Sequence, residues 1–118
     1  VACQAAKSIG DVGSVAVENE LESTTILIVE ALKRIGKIAA EKVFEDVVDQ
    51  VVESLGLVGE AAAEKKLDRA TRQAAQCLGL VGTFAATKEF KNATRDAALY
   101  LGLIGKYAAT KGLEIATQ

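Results

Sequence analysis

The chain has 118 residues, the size of one ordinary domain, and half of them are hydrophobic although only 4% are aromatic. The 14 basic and 16 acidic side chains leave a net charge of −2, which argues against nucleic acid as a partner. No apolar run approaches the roughly 18 residues that a membrane span needs, so we expect no membrane-spanning segment.

Five segments carry apolar residues at helical spacing, and short breaks separate them. In chain order, the spacing predicts helices at residues 1–18, 23–42, 46–65, 69–88 and 92–111, with a short stub after the fifth. In the fifth segment the apolar positions are four, four, three and four residues apart: Ala93, Ala97, Leu101, Ile104 and Ala108. The expected fold class is therefore all-α, in a single domain over residues 1–118.

Each predicted break is followed by a residue type that favours the start of a helix. Ser23, Asp46 and Asn92 are predicted N-caps, and Asp68 replaces Arg69 in this role before the fourth helix. Connections of three or four residues predict that neighbouring helices run antiparallel. An alternative interpretation divides each segment at its glycines into two short helices.

A repeat of 23 residues runs through the whole chain. One column holds Gly13, Gly36, Gly59, Gly82 and Gly105, and three residues earlier a second column holds Gly10, Lys33, Gly56, Gly79 and Gly102. Five copies in phase predict an array of about five helices, an α/α superhelix or solenoid. Because the chain begins and ends at nearly the same point of the repeat, we expect it to be a segment of a longer array.

The glycines lie in the middle of predicted helices, where glycine costs about 0.8–1 kcal/mol relative to alanine. On a helical wheel Ala75, Gly79, Gly82 and Ala86 form one stripe without large side chains. Such a stripe lets a neighbouring backbone approach closely, so we predict that the glycines are packing positions. A phosphate-binding loop is disfavoured because no strand precedes the glycines and no hydroxyl residue follows the Gly-Lys pairs. Lys33 interrupts the stripe, either by extending its amine outward or because the second helix faces an opening.

The strings ALKRIGK at residues 31–37, CLGLVG at 77–82 and YLGLIG at 100–105 resemble the ALGxIG motif of HEAT-like repeats, particularly the short kind related to phycobilin lyases. The alanine-rich stretches ahead of the motif, ATRQAAQ and ATRDAAL, are similar to the helix that precedes it in that family. The period of 23 residues is shorter than is usual there, and the Asp or Pro that normally follows the motif is missing. The resemblance implies an α/α superhelix that serves as a protein-binding scaffold and has no catalytic residues.

The sequence shows no pattern of residues typical of an enzyme active site. Histidine, the commonest general base and zinc ligand, is absent, and acid pairs such as Glu45 and Asp46 are expected to be solvated at turns. Cys3 and Cys77 form no metal motif, and we interpret them as small packing residues, with a mutual disulfide as the lesser alternative. We therefore expect a non-catalytic protein without cofactor or metal. The absence of a visible signal peptide favours a cytoplasmic over a secreted protein.

Repeat arrays offer extended surfaces to partners, so a protein–protein interaction scaffold is the predicted function. The exposed columns change from copy to copy while the core columns keep their residue types, as expected either of a surface fitted to a partner or of an unconstrained solvent face. The residues predicted to contact an unidentified protein or peptide are Lys33, Lys37, Glu60, Thr83 and Lys106, and a second variable column holds Gln50, Gln73 and Asp96. The alternative function is a structural protein that self-assembles into a homo-oligomer through its exposed ends, because no polar capping repeat is visible.

Overall fold

The structure, a computed structural model, describes residues 1–112 as five α-helices. They are α1 (Ala2–Glu18), α2 (Glu22–Glu41), α3 (Glu45–Glu64), α4 (Asp68–Thr87) and α5 (Lys91–Lys111). The all-α fold class is confirmed, and the observed helix bounds lie within one residue of the predicted ones. The alternative of two short helices per repeat is wrong, because each helix continues through its glycines. Residues 113–118, which hold most of the predicted stub, lie outside the described residues.

Three residues connect each helix to the next, and each connection forms a Schellman motif. At the end of α1, the Leu21 amide donates to the Ala16 carbonyl at 2.8 Å and the Glu20 amide donates to the Val17 carbonyl at 2.9 Å. The same pair of hydrogen bonds recurs at the other three connections. The middle residue of each connection is left-handed: Glu20 (φ 56°), Val43 (φ 62°), Lys66 (φ 58°) and Glu89 (φ 61°). Val43 is strained there, since its β-branched side chain disfavours positive φ.

The predicted polar N-caps are wrong. The N-cap residues are Leu21, Phe44, Leu67 and Phe90, none of which makes a side-chain capping bond. Ser23, Asp46 and Asn92 are instead the second residues of their helices, and Asp68 is the first residue of α4. The cause is the short connection, because its last residue also completes the Schellman motif, which favours an apolar side chain at that position.

One carboxylate replaces the missing side-chain cap of α4 from another helix. Glu22, the first residue of α2, accepts hydrogen bonds at Oε2 from the amides of Arg69 at 3.0 Å and Ala70 at 3.2 Å. These amides belong to the first turn of α4, where backbone N–H groups have no acceptor within their own helix. The partial positive charge at the start of a helix also favours a nearby carboxylate. The contact ties the beginning of α2 to the beginning of α4.

The helices form two layers. In one layer α1 contacts α3 and α3 contacts α5; in the other α2 contacts α4; and each helix also contacts the next along the chain. Within residues 1–112, α1 contacts neither α4 nor α5. The dimensions of 37 × 25 × 15 Å agree with helices of 20 residues, three side by side and two deep. Leu32, Leu55 and Leu78 are fully buried between the layers and form the centre of the core.

The glycines are packing positions wherever another helix covers them. A methyl group added at Gly13 would lie 2.9 Å from both Ile28 Cγ2 and Val58 Cγ2, and one added at Gly82 would lie 2.9 Å from Ala97 Cβ. The predicted packing role is confirmed for six glycines: Gly10, Gly13, Gly36, Gly56, Gly59 and Gly82. It is wrong for Gly79, Gly102 and Gly105, where an added methyl group would have no atom within 4 Å, because no described helix covers them.

Candidate interaction surfaces

A concave surface lies between α3 and α5, which are neighbours in the same layer. We call it the α3–α5 groove. Its lining residues lie between Asp46 and Glu53 on α3 and between Asn92 and Leu103 on α5. The volume of the groove is about 580 Å³. The apolar part comes from α5, where Leu99 is 60% and Leu103 is 38% exposed.

The half-buried ring of Tyr100 completes the apolar part of the groove. The ring packs against Gly56 of α3, at the place where a side chain on that residue would lie. The missing side chain of α3 therefore leaves room for the aromatic ring of α5, which lines the groove together with Leu99.

The α3–α5 groove is acidic. Its lining includes four carboxylates and one guanidinium: Asp46, Asp49, Glu53, Asp96 and Arg95. Arg95 Nε lies 3.3 Å from Asp96 Oδ1, but both side chains are exposed, and exposed pairs of this kind contribute little to stability. The groove thus offers negative charge around an apolar centre.

Asp49 is the carboxylate most affected by these surroundings. Burial, followed by the charges of Glu45, Asp46 and Asp96, raises its pKa above the ordinary value. Its Oδ1 is buried and has no hydrogen-bond partner within residues 1–112. Burial and nearby carboxylates also raise the pKa of Tyr100. A cationic group in the groove would therefore stabilise the ionised form of Asp49.

Lys33 forms an ion pair within its own helix. Its Nζ lies 2.8 Å from Glu30 Oε2, with the two side chains 30% and 32% exposed. The hydrogen bond to Glu30 raises the pKa of Lys33. Cys77 lies beside this pair, with its Sγ 4.0 Å from Glu30 Oε1. The amine that interrupts the glycine column is thus held by a carboxylate one turn away.

Cys77 does not have the features of a reactive thiolate. Cys3 and Cys77 are both free thiols. Burial, together with the charge of Glu30, raises the pKa of Cys77 to about 11, so the thiol stays protonated at neutral pH. Its interpretation as a packing residue agrees with its 2% exposure.

The other residues predicted to contact a partner do not form one surface. Lys37 and Thr83 lie on α2 and α4 in one layer, whereas Glu60 and Lys106 lie on α3 and α5 in the other. Lys37 borders a small depression between α2 and α4, which Phe84 also lines. None of these residues, nor Lys33, lines the α3–α5 groove. Their role as partner contacts stays a prediction.

Two of the residues that line the groove had been singled out from the sequence. Gln50 and Asp96, from the second variable column, both line it, whereas Gln73 of that column lies on α4 in the other layer. Leu99 and Tyr100 were missed, although each departs from its column. Leu99 is apolar where the other repeats have Lys7, Glu30, Glu53 and Gln76, and Tyr100 is large where they have Ser8, Ala31, Ser54 and Cys77.

None of the five described helices combines the length and apolarity needed to cross a membrane. Over residues 1–112, no cluster of three side chains able to bind a metal ion is found. Comparisons with protein-family models, with curated proteins and with solved structures gave no match.

Proposed function

We propose that this chain is a non-catalytic helical-repeat scaffold that binds a protein partner in the α3–α5 groove. The observation that carries the proposal is the exposure of Leu99 and Leu103 next to a set of carboxylates. Apolar side chains at the centre of a polar rim are typical of protein-binding surfaces. The residues predicted from the sequence to contact a partner lie on other surfaces and remain candidates for further contacts with it: Lys33, Lys37, Glu60, Thr83 and Lys106.

The proposal includes a solenoid architecture of the HEAT-like kind, an α/α superhelix in which successive helices run antiparallel. The three-residue connections support the reversal of direction. The contacts of each helix with the next two along the chain support a stack whose units bury their faces on one another. Partners of such arrays bind along an extended surface formed by several units, and we assign this role to the groove between α3 and α5, which are alternate helices in one layer.

The chemistry of the groove favours a basic amphipathic helix as partner. Its apolar face would cover Leu99 and Leu103, and its lysine or arginine side chains would approach Asp49 and Glu53. The opposite charges would accelerate association and orient the helix, while the apolar contact would supply most of the affinity.

Binding of two synthetic helical peptides tests this proposal. The first has leucines on one face and lysines on the other, and the second has glutamates in place of the lysines. We expect the lysine peptide to bind, measured by the fluorescence anisotropy of a label on the peptide, and the glutamate peptide not to bind. Leu99→Ser should weaken binding about tenfold, because part of a leucine contact is lost.

Leu80→Ser is the matched control. Leu80 is a leucine on α4 with 47% exposure, and it does not line the groove. Its replacement should leave the affinity unchanged. Equal losses in Leu99→Ser and Leu80→Ser, or equal binding of the two peptides, would contradict the proposed site.

A further inference from the structure

The two ends of the described chain leave opposite packing faces uncovered. On α4 and α5, Gly79, Gly102 and Gly105 have open space where other glycines have a neighbouring helix. On α1, Val12 and Val15 are 58% and 56% exposed. We call the first surface, with Gly79, Gly82, Gly102 and Gly105, the glycine end, and the second, with Ala5, Ser8, Val12 and Val15, the valine end.

Packing inside the chain follows a constant register. The first glycine of a helix contacts the residue 44 positions later, as Gly10 does with Ser54, and the second contacts residues 15 and 45 positions later. The pairs in this register are Gly56 with Tyr100, Gly13 with Ile28 and Val58, Gly36 with Val51 and Val81, and Gly59 with Ala74 and Ile104. Glycines of both layers follow the same register: Gly13 in one layer and Gly36 in the other both contact residues 15 and 45 positions later. Helices of the two layers therefore pack on their neighbours in the same way.

The residues at the valine end match what this register requires beyond α5. In the repeat, Ser8 is equivalent to Ser54, and Val12 is equivalent to Val58 and Val81. A helix placed after α5 would bring these positions against Gly79 and Gly82, as Ser54 and Val58 lie against Gly10 and Gly13 in α1. Ala5 would face Gly105, as Ala74 faces Gly59 and Ala97 faces Gly82.

We propose that a second copy of this chain docks its valine end on the glycine end, with its α1 in the place of a sixth helix. The interface continues the packing already present within the chain, and none of Ala5, Ser8, Val12 and Gly79 carries a side-chain charge. Each copy uses one end as donor and the other as acceptor, so the contact is heterologous and produces linear assemblies. The inference goes beyond the α3–α5 groove, which uses other residues.

Mixing two blocked variants tests the docking. Gly79→Arg adds a long side chain at the glycine end, where a β-carbon would have no atom within 4 Å, and Val12→Arg blocks the valine end at an exposed position. Sedimentation velocity of the wild-type chain from micromolar to millimolar concentration should show a mean mass that keeps rising. Each variant alone should associate about tenfold to a hundredfold more weakly, because the contact is overpacked.

The mixture of the two variants should form a dimer that grows no further, because one intact valine end and one intact glycine end remain. Thr87→Arg is the control, since Thr87 lies on α4 at a position that is exposed in every repeat; it should associate like the wild-type chain. A wild-type chain that stays monomeric at millimolar concentration overturns the proposal. A closed dimer that persists in both variants, or a mixture that stays monomeric, also overturns it.

Discussion

The pair Gly82→Ala and Gly105→Ala separates the packing role of a glycine from its helix propensity. Both residues belong to the same column of the repeat and lie in the middle of helices. A methyl group at Gly82 would lie 2.9 Å from Ala97 Cβ, whereas one at Gly105 would have no atom within 4 Å. Since Ala97 Cβ is fixed to the backbone of α5, the clash at Gly82 can be relieved only by shifting a helix.

Each substitution gains about 0.8–1 kcal/mol of helix propensity. Gly105→Ala should therefore raise the free energy of unfolding by about that amount. Gly82→Ala carries in addition an overpacking cost of about 1–3 kcal/mol, so it should be between neutral and about 2 kcal/mol less stable than the wild type. Because the propensity gain cancels in the comparison, the difference between the variants measures the overpacking alone.

Thermal and urea unfolding, followed by circular dichroism at low micromolar concentration, measure this difference without a contribution from association. For a chain of this size, 1 kcal/mol corresponds to a shift of about 3–6 °C in Tm. We expect the Tm of Gly105→Ala to lie above that of the wild type and well above that of Gly82→Ala. Equal shifts in the two variants would refute the idea that close helix approach is the reason for glycine at Gly82.

Three further predictions concern single residues. Glu22→Ala should lower the free energy of unfolding by about 1 kcal/mol, because α4 loses its cap, whereas Glu45→Ala, at the equivalent position of α3, should cost less in the same urea titration. Val43→Gly should raise the free energy of unfolding by about 1 kcal/mol, because glycine relieves the left-handed strain at φ 62°. Lys42→Gly, at the preceding residue of the same connection, should not raise it. Asp49→Asn should raise the Tm at pH 7, where the native state holds an unfavourable charge. Because the folded pKa of Asp49 lies above the ordinary 3.8, the wild type should gain stability relative to Asp49→Asn as the pH falls through the folded pKa, and the gain should be complete below pH 3.8; a Tm difference that is the same at every pH would contradict this.

The helices were predictable because their information is local and repeated. Apolar spacing and the 23-residue period placed every helix to within one residue. The N-caps were not predictable from residue preference alone, because in a three-residue connection Leu21 or Phe44 must serve the preceding helix as well as the next. The cap that Glu22 provides for α4 joins residues 47 positions apart, which local patterns do not reveal.

The groove was less predictable, because it depends on which helices are neighbours. A column of the repeat passes from one layer to the other with every helix, so Lys37 and Glu60 share a column but lie in different layers. The lining of the groove combines different positions of α3 and α5 in one layer, such as Asp49 with Leu99. Departures from a column, as at Leu99 and Tyr100, were the stronger signal, since the repeat itself defines what is ordinary at each position.

The two proposed surfaces differ in charge, and ionic strength therefore distinguishes them. The α3–α5 groove contains four carboxylates and one guanidinium, so added salt should screen its attraction for a lysine peptide and weaken binding. The contact between the valine end and the glycine end joins uncharged residues such as Val12 and Gly82, so sodium chloride should leave it nearly unchanged, and sulfate should strengthen it by favouring apolar burial. The same sodium chloride series should therefore weaken peptide binding and leave the mass of the assemblies, measured by sedimentation, nearly unchanged. If sulfate instead dissociates the assemblies, charged groups hold them together, and the register of glycine and valine contacts is not their basis.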